Sequence, residues 1–245
     1  MTDPLVRQER FTWRHRLPRR GPVDRHEVLV EAARGRRVIH VGFADELLER
    51  KLVEGVWLHA RLAQVATSIV GLDASERGVA WAREHGYAAE VVDAQSPEAV
   101  AALGLEPVEV VIAGEIIEHL DAPGPFLRAL LCLVEPDGRL VLTTPNAYRL
   151  LNFVAPLSGS ELVHPDHTAW HSPRTLATLL TRSGWLVEEM AYYRNPTRTV
   201  VAAPLSDRAK GHAANLAREA LARVNSLLPF WSDGIVIWAR RAPLV

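Results

Sequence analysis

Cysteine is nearly absent from this 245-residue chain, where Cys132 stands alone. One thiol can make neither an internal disulfide nor a thiolate metal cluster, so a reducing, cytoplasmic setting is expected. Lysine is almost as scarce. Of 28 basic residues only Lys51 and Lys210 are lysine, and the arginines are spread along the chain, as a GC-rich genome would leave them. No run of 18 or more apolar residues occurs, which excludes a membrane-spanning helix. The first 21 residues are charged and lack an apolar stretch, so no secretory signal is expected. The net charge is only −1, which argues against bulk electrostatic binding to nucleic acid. Repeats and low-complexity tracts are missing too. What remains is a chain with 48% apolar and 23% charged residues, the balance of a globular protein long enough for one sizeable core.

One local surplus breaks the even spread of charge. Residues 1–37 hold ten Arg against five Asp and Glu. We read residues 1–36 as a basic extension and 37–245 as one domain.

Within that domain, apolar runs alternate with helical patterns, the mark of βαβ units and a parallel sheet. Strands are expected at 37–41, 68–73, 89–93, 108–113, 139–144, 185–193 and 234–240. Helices are expected at 57–67, 76–85, 126–134 and 173–182. Ser75 and Ser172 stand where N-caps belong, and Pro173 suits a first turn. Pro136-Asp137-Gly138 reads as a turn before the fifth strand. Residues 146–172 are irregular, with Pro156, Gly159 and Pro165. A loop this long in a compact domain is usually functional, here a lid. Residues 206–227 are amphipathic and helical in pattern, a second lid or an oligomer face through which a homodimer could form. Trp231 and Trp238 read as core or dimer contacts.

Three strand ends make chemical sense together. Gly42 allows close backbone approach to a ligand. Asp73 can accept hydrogen bonds from ribose hydroxyls, and Asp93 falls near a purine ring if the sheet is doubly wound. Singly, each Asp equally well caps the next helix. Glu115, Glu118 and His119 follow the fourth strand, and 115 shares a helical face with 118 and 119. His164, Asp166, His167 and His171 cluster in the lid. With Glu115, Glu118 and His119, they could complete an octahedral Mg²⁺ or Mn²⁺ site; alternatively they only pack the lid. Tyr148, Trp170 and His171 are candidates for an acceptor pocket, with Trp57, Phe153 and Tyr192 as further aromatics. The G-x-G-x-x-G fingerprint of dinucleotide dehydrogenases is absent.

The segments Val38 to Gly42, Val70 to Asp73, Val91 to Ala94, Gly114 to Leu120 and Leu133 to Asn146 together resemble the class I S-adenosylmethionine-dependent methyltransferases. The most specific are Glu115-x-x-Glu118-His119, and Pro136-Asp137-Gly138 followed by a strand ending Thr143-Thr144-Pro145-Asn146. The resemblance covers about residues 36–193. It implies an α/β fold: a seven-stranded, mostly parallel Rossmann-like sheet in the order 3-2-1-4-5-7-6, with helices on both faces. It implies S-adenosylmethionine as cofactor, held by Gly42, Phe43, Asp45, Asp73, Ala74, Asp93, Ala94 and Gly114. It also implies catalytic roles for His119, Glu118 and Glu115, and metal ligands among Glu115, Glu118, His119, His164 and His167. The family's first motif carries an acid two residues before its first glycine. Here that position is His40, and Phe43-Ala44-Asp45 replaces further glycines; Asp45 is a substitute for the acid. The expected activity is methyl transfer to a small-molecule hydroxyl of a sugar or secondary metabolite. Two rivals stand beside it. The Glu-x-x-Glu-His pattern with a downstream His is similar to that of metal-dependent small-RNA 2′-O-methyltransferases. The altered first motif also suits a non-catalytic, methyltransferase-like binding protein.

Overall fold

The computed structural model describes residues 15–45, 47–195 and 223–243. In chain order the strands are β1 (Val23–Asp24), β2 (Arg37–Val41), β3 (Ser68–Asp73), β4 (Ala89–Val91), β5 (Val108–Gly114), β6 (Val134–Pro145), β7 (Trp185–Arg194) and β8 (Gly234–Arg241). The helices are α1 (Arg25–Ala33), α2 (Leu48–Val53), α3 (Leu58–Ala63), α4 (Glu76–Glu84), α5 (Pro97–Ala102), α6 (Pro123–Ala129), α7 (Leu150–Val154) and α8 (Pro173–Arg182). The sheet runs β1-β7-β8-β6-β5-β2-β3-β4. Only β8 is antiparallel to its neighbours β6 and β7. This is the expected order with one addition, the two-residue β1 pairing in parallel with β7 at the edge.

Period-two alternation explains the layers. Ile39, Val111, Leu140 and Ile237 face one side, where Phe126 and Leu130 and the α8 residues Leu176 and Leu180 cover them. Val38, Val110, Val141 and Val236 face the other, under Leu29, Val30 and Ala33 of α1 and Leu62 of α3. Strands buried on both faces need apolar residues at every position, hence the near-continuous runs. Side-chain caps start four helices: Asp24 on Glu27 N, Ser75 on Gly78 N, Ser96 on Ala99 N, and a capping box between Ser172 and Thr175.

Several expectations shift. Part of the stretch read as a basic extension is built into the domain, since β1 joins the sheet and α1 covers it. Helices α2 and α5 are too short and too weakly patterned to be read ahead of the structure. The helix expected at 57–67 is α3, and that at 126–134 is α6 followed by a 3₁₀ turn at Leu130–Leu133. Pro136-Asp137-Gly138 is no separate turn. It lies inside β6, where the pairing with β5 shifts register between Val108 and Val110, as a bulge does. A Cβ on Gly138 would lie 2.9 Å from the Glu109 carbonyl. The third strand stops at Val91, two residues short of Asp93. The lid stretch 146–172 carries α7 and a 3₁₀ turn at Ala155–Ser158. Of the expected helix at 206–227, residues 206–222 lie outside the described residues, and 223–227 are helical. No helix among the described residues is long and apolar enough to cross a membrane.

Candidate active site

The site opens at the carboxyl ends of β2, β3 and β5, where the sheet order reverses and α/β sheets bind ligands. A cleft of about 390 Å³ there is lined by Gly42, Ala44, Asp73, Glu115, Ile116, Glu118, His119, His164, Asp166 and His167. Gly42 has φ +74°, and a Cβ there would lie 2.6 Å from Ile116 Cδ1. Only glycine fits this crossing of the β2 and β5 loops. Asp73 turns both carboxylate oxygens onto the loops, accepting from Ala44 N at 2.8 Å and Ser75 N at 2.9 Å. Each oxygen keeps a lone pair for a ribose hydroxyl. The bare backbone at Gly42 and the acid at Asp73 fit a nucleoside-bearing cofactor.

The other expected cofactor contacts divide. Gly114 ends β5 beside the cleft, and Ala74 follows Asp73 on its exposed rim. Asp93 is exposed and accepts from Gln95 N at 2.9 Å, while Ala94 is buried beneath it. Phe43 is a core residue instead, 2% exposed and packed on Trp57 and His59; its carbonyl accepts from Trp57 Nε1 at 3.1 Å. Asp45 pairs with Lys51 and lines a separate cleft with Ser75, Arg77 and Trp81.

His40 proves to be half of a buried pair. Its Nδ1 lies 3.2 Å from Nδ1 of His59, and the rings stack at 5.4 Å. Burial holds both imidazoles neutral: His40 is pushed well below 6.5, and His59 down to about 4.

Beyond β5 the chain turns sharply. Glu115 takes φ +54°, a region a non-glycine residue enters only when its surroundings hold it. Tyr193 on β7 does so, donating from its hydroxyl to Glu115 Oε1 at 2.5 Å. The Arg25 guanidinium of α1 sits 5.9 Å from the Tyr193 ring centre. Glu118 is 1% exposed and accepts from Thr144 Oγ1 at 3.0 Å. Burial first, and the charge of Glu115 second, raise its pKa far above the carboxylate range. Both causes favour its protonated form.

The lid is clipped onto this turn. Thr168 donates its N–H to the Glu118 carbonyl at 2.8 Å and its hydroxyl to the Leu120 carbonyl at 3.0 Å. That tether brings His164 and His167 over His119, with ring centres 4.6–5.6 Å apart. One nitrogen from each of the three lies within 4.8 Å of the others. Glu115 and Glu118 line the same cleft outside this group of three; each bonds a partner through one oxygen, and Glu118 Oε1 is buried without one. The donor set that converges is three imidazoles, which suit a borderline ion such as Zn²⁺. It does not fit Mg²⁺, which takes oxygen ligands.

On the acceptor side, Trp170 lines a second cleft of about 570 Å³ with Ala147, Asn152, Pro156 and Leu162. Tyr148 is 37% exposed at the lid's start. His171 is buried and bonds the Ile117 backbone, so it braces the turn. Asn146 ties the lid down, donating to the Phe230 and Ser232 carbonyls and accepting from Tyr148 N. The Thr-Thr-Pro-Asn stretch thereby acquires two jobs, holding Glu118 and anchoring the lid. Tyr193, His59 and Arg25 carry no signal in the sequence, and Thr144 is legible there only as part of the Thr-Thr-Pro-Asn motif. They lie on distant elements, and only strand order brings them together.

A family model described as "Methyltransferase domain" matches residues 13–190. A "Ubiquinone biosynthesis O-methyltransferase" of Roseobacter denitrificans is 30% identical over 187 residues, covering 72% of this chain and 71% of that one. Its namesake from Caulobacter sp. is 28% identical over 115 residues, 46% of this chain and 42% of that enzyme. Among solved structures, a SAM dependent methyltransferase from Archaeoglobus fulgidus shares the fold, with TM-score 0.52 at 18% identity over 88% of this chain and 94% of that one. The [4+2]-cyclase SpnF does too, with TM-score 0.55 at 19% identity over 89% of this chain and 80% of that one. Fold alone does not fix a reaction, but the family match spans β1 to β6 and the start of β7, the turn after β5 and the lid. The chain belongs to the class I S-adenosylmethionine-dependent methyltransferases.

Proposed function

We propose that the protein methylates a hydroxyl oxygen of a ring-bearing small molecule, a sugar or an aromatic secondary metabolite. The observation that carries this reading is His119 at the floor of the cleft, with the lid folded over it beside a second, larger cleft. The names of the relatives, O-methyltransferases, support oxygen as the acceptor atom. The lining of the second cleft, apolar with Asn152, Ser160 and Glu161 among its residues, supports a hydroxylated ring compound.

S-adenosylmethionine supplies the methyl on a sulfonium, already an excellent leaving group, so positioning dominates. The chain's own task is to hold the acceptor in line and take its proton. His119 faces the cleft and is placed to accept it. Glu118 is not, since it is buried and bonded to Thr144. His164 and His167 close over the site and exclude water. Alternatively, their imidazoles and that of His119 would together hold a borderline divalent ion, which would lower the acceptor hydroxyl's pKa in place of proton transfer to His119. Glu115, Glu118 and Asp166 line the same cleft and are the oxygen donors a Mg²⁺ or Mn²⁺ would need. A cytoplasmic setting is proposed on the single Cys132.

The test is methyl transfer from labelled S-adenosylmethionine to phenol, catechol and sugar panels, with a structured RNA as control, with and without EDTA. Label in an ether-linked methyl on a small molecule is expected. Transfer to carbon or nitrogen, or to RNA alone, would overturn the reading.

A further inference from the structure

The cofactor's methionyl end carries an α-ammonium that needs an anionic partner. The family's first motif places an acid two residues before its glycine, but here that position is His40, buried at 2% exposure and committed to His59. An imidazole held neutral in a dry core cannot balance an ammonium. Asp45, the nearest acid in the same loop, is exposed, paired with Lys51, and lines a different cleft.

Glu115 meets the requirement. It lines the same cleft as Gly42 and Asp73. Its neighbour Ile116 is in contact with Gly42, so the β5 turn borders the β2 loop directly. Its hydrogen-bond partner is the neutral Tyr193 phenol on Oε1, which steers the carboxylate without neutralising it. We infer that Glu115 binds the α-ammonium of S-adenosylmethionine, replacing the acid lost at position 40, with Tyr193 as its positioning residue. Glu115 is then a cofactor-binding group and neither a base nor a metal ligand.

The experiment is calorimetric titration in EDTA with S-adenosylhomocysteine and with its analogue lacking the amino group. Wild type should bind the first more tightly by about 10- to 100-fold, the range of a hydrogen bond to a charged group. Glu115→Gln should erase that preference and leave the affinity for the des-amino analogue within about threefold. Tyr193→Phe, which keeps the ring, should lower the preference in the same direction by less. Equal losses for both ligands in Glu115→Gln would overturn the assignment, as would a wild type indifferent to the amino group. A selective loss in Asp45→Asn would overturn it too and give the role to Asp45. EDTA separates the result from metal binding, because a metal-ligand role for Glu115 predicts no amino-group selectivity.

Discussion

Two groups of histidines sit within one domain and face opposite conditions. His40 and His59 stack in a dry pocket among Phe43, Trp57 and Tyr87. Their Nδ1 atoms face each other at 3.2 Å, so one donates and one accepts, and a second proton would set two donors head to head. His119, His164 and His167 meet around an open cleft, with nitrogens pointing toward a common space. The side chain is the same in both groups. What differs is burial, which locks the first pair neutral, while the second group lines a cleft where a ligand or an ion can reach it. The first group should therefore serve folding and the second chemistry.

The sharpest way to break that division is His119→Ala. A lost proton acceptor should lower methyl transfer by about 10²- to 10⁴-fold, while the thermal melt stays within a few degrees of wild type. Single-turnover transfer with bound cofactor checks the first half and calorimetry the second. A turnover within tenfold of wild type would remove His119 from its role.

The mirror experiment is His59→Ala. It opens a cavity beside Trp57 and strands His40 Nδ1, and should cost about 2–4 kcal/mol of stability. Urea denaturation measures this. Turnover by the folded fraction should match wild type. A lower turnover at full stability would place the buried pair in the chemistry and end the contrast.

Acid titration sharpens the same point. His59 falls from 6.5 to about 4 on folding, so between those values the unfolded chain binds the extra proton. Its contribution is complete above pH 6.5 and is lost as pH falls toward 4. The displacement corresponds to about 3 kcal/mol. His59→Phe should make that limb of the stability profile shallower, and by more than His167→Phe does. His40, pushed well below 6.5, and His26, lowered to about 4, both by burial, keep a residual slope in both variants.

The fold was largely legible because long-range order rests on local signals. The strands at 37–41 and 68–73 and the helix at 173–182 came directly from apolar runs, serine caps and a proline. Helix α1, nine residues long, stayed hidden in the stretch read as an extension; the other hidden helices are short. Helix α2 has six residues, buries none of them and so shows no apolar stripe. In the site, Gly42, Asp73, Glu115, Glu118 and His119 were readable because they follow strand ends. Their partners were not. Tyr193 reaches Glu115 from 78 positions away, and Thr144 reaches Glu118 from 26. His40 stood out as a departure, but its stacking on His59 depends on where α3 crosses β2, which no spacing rule specifies. That Tyr193 on β7 and Thr144 on β6 each bond one oxygen of the Glu115 and Glu118 carboxylates, respectively, had no sequence signal either.

The smallest expected effect tests the comparison through tryptophan. Trp57 lies between Phe43, His59, Trp81 and Tyr87 and is 1% exposed; it belongs to the dry group. Trp170 touches His167 edge-on at 6.0 Å and lines the acceptor cleft; it belongs to the open one. Trp170→Phe keeps a ring but loses area and an N–H. It should raise the acceptor KM by about threefold, near the lower end of what one aromatic contact is worth, with turnover and melting temperature unchanged. A shift in melting temperature without a shift in KM would make Trp170 a packing residue and move the boundary between the two groups into the lid.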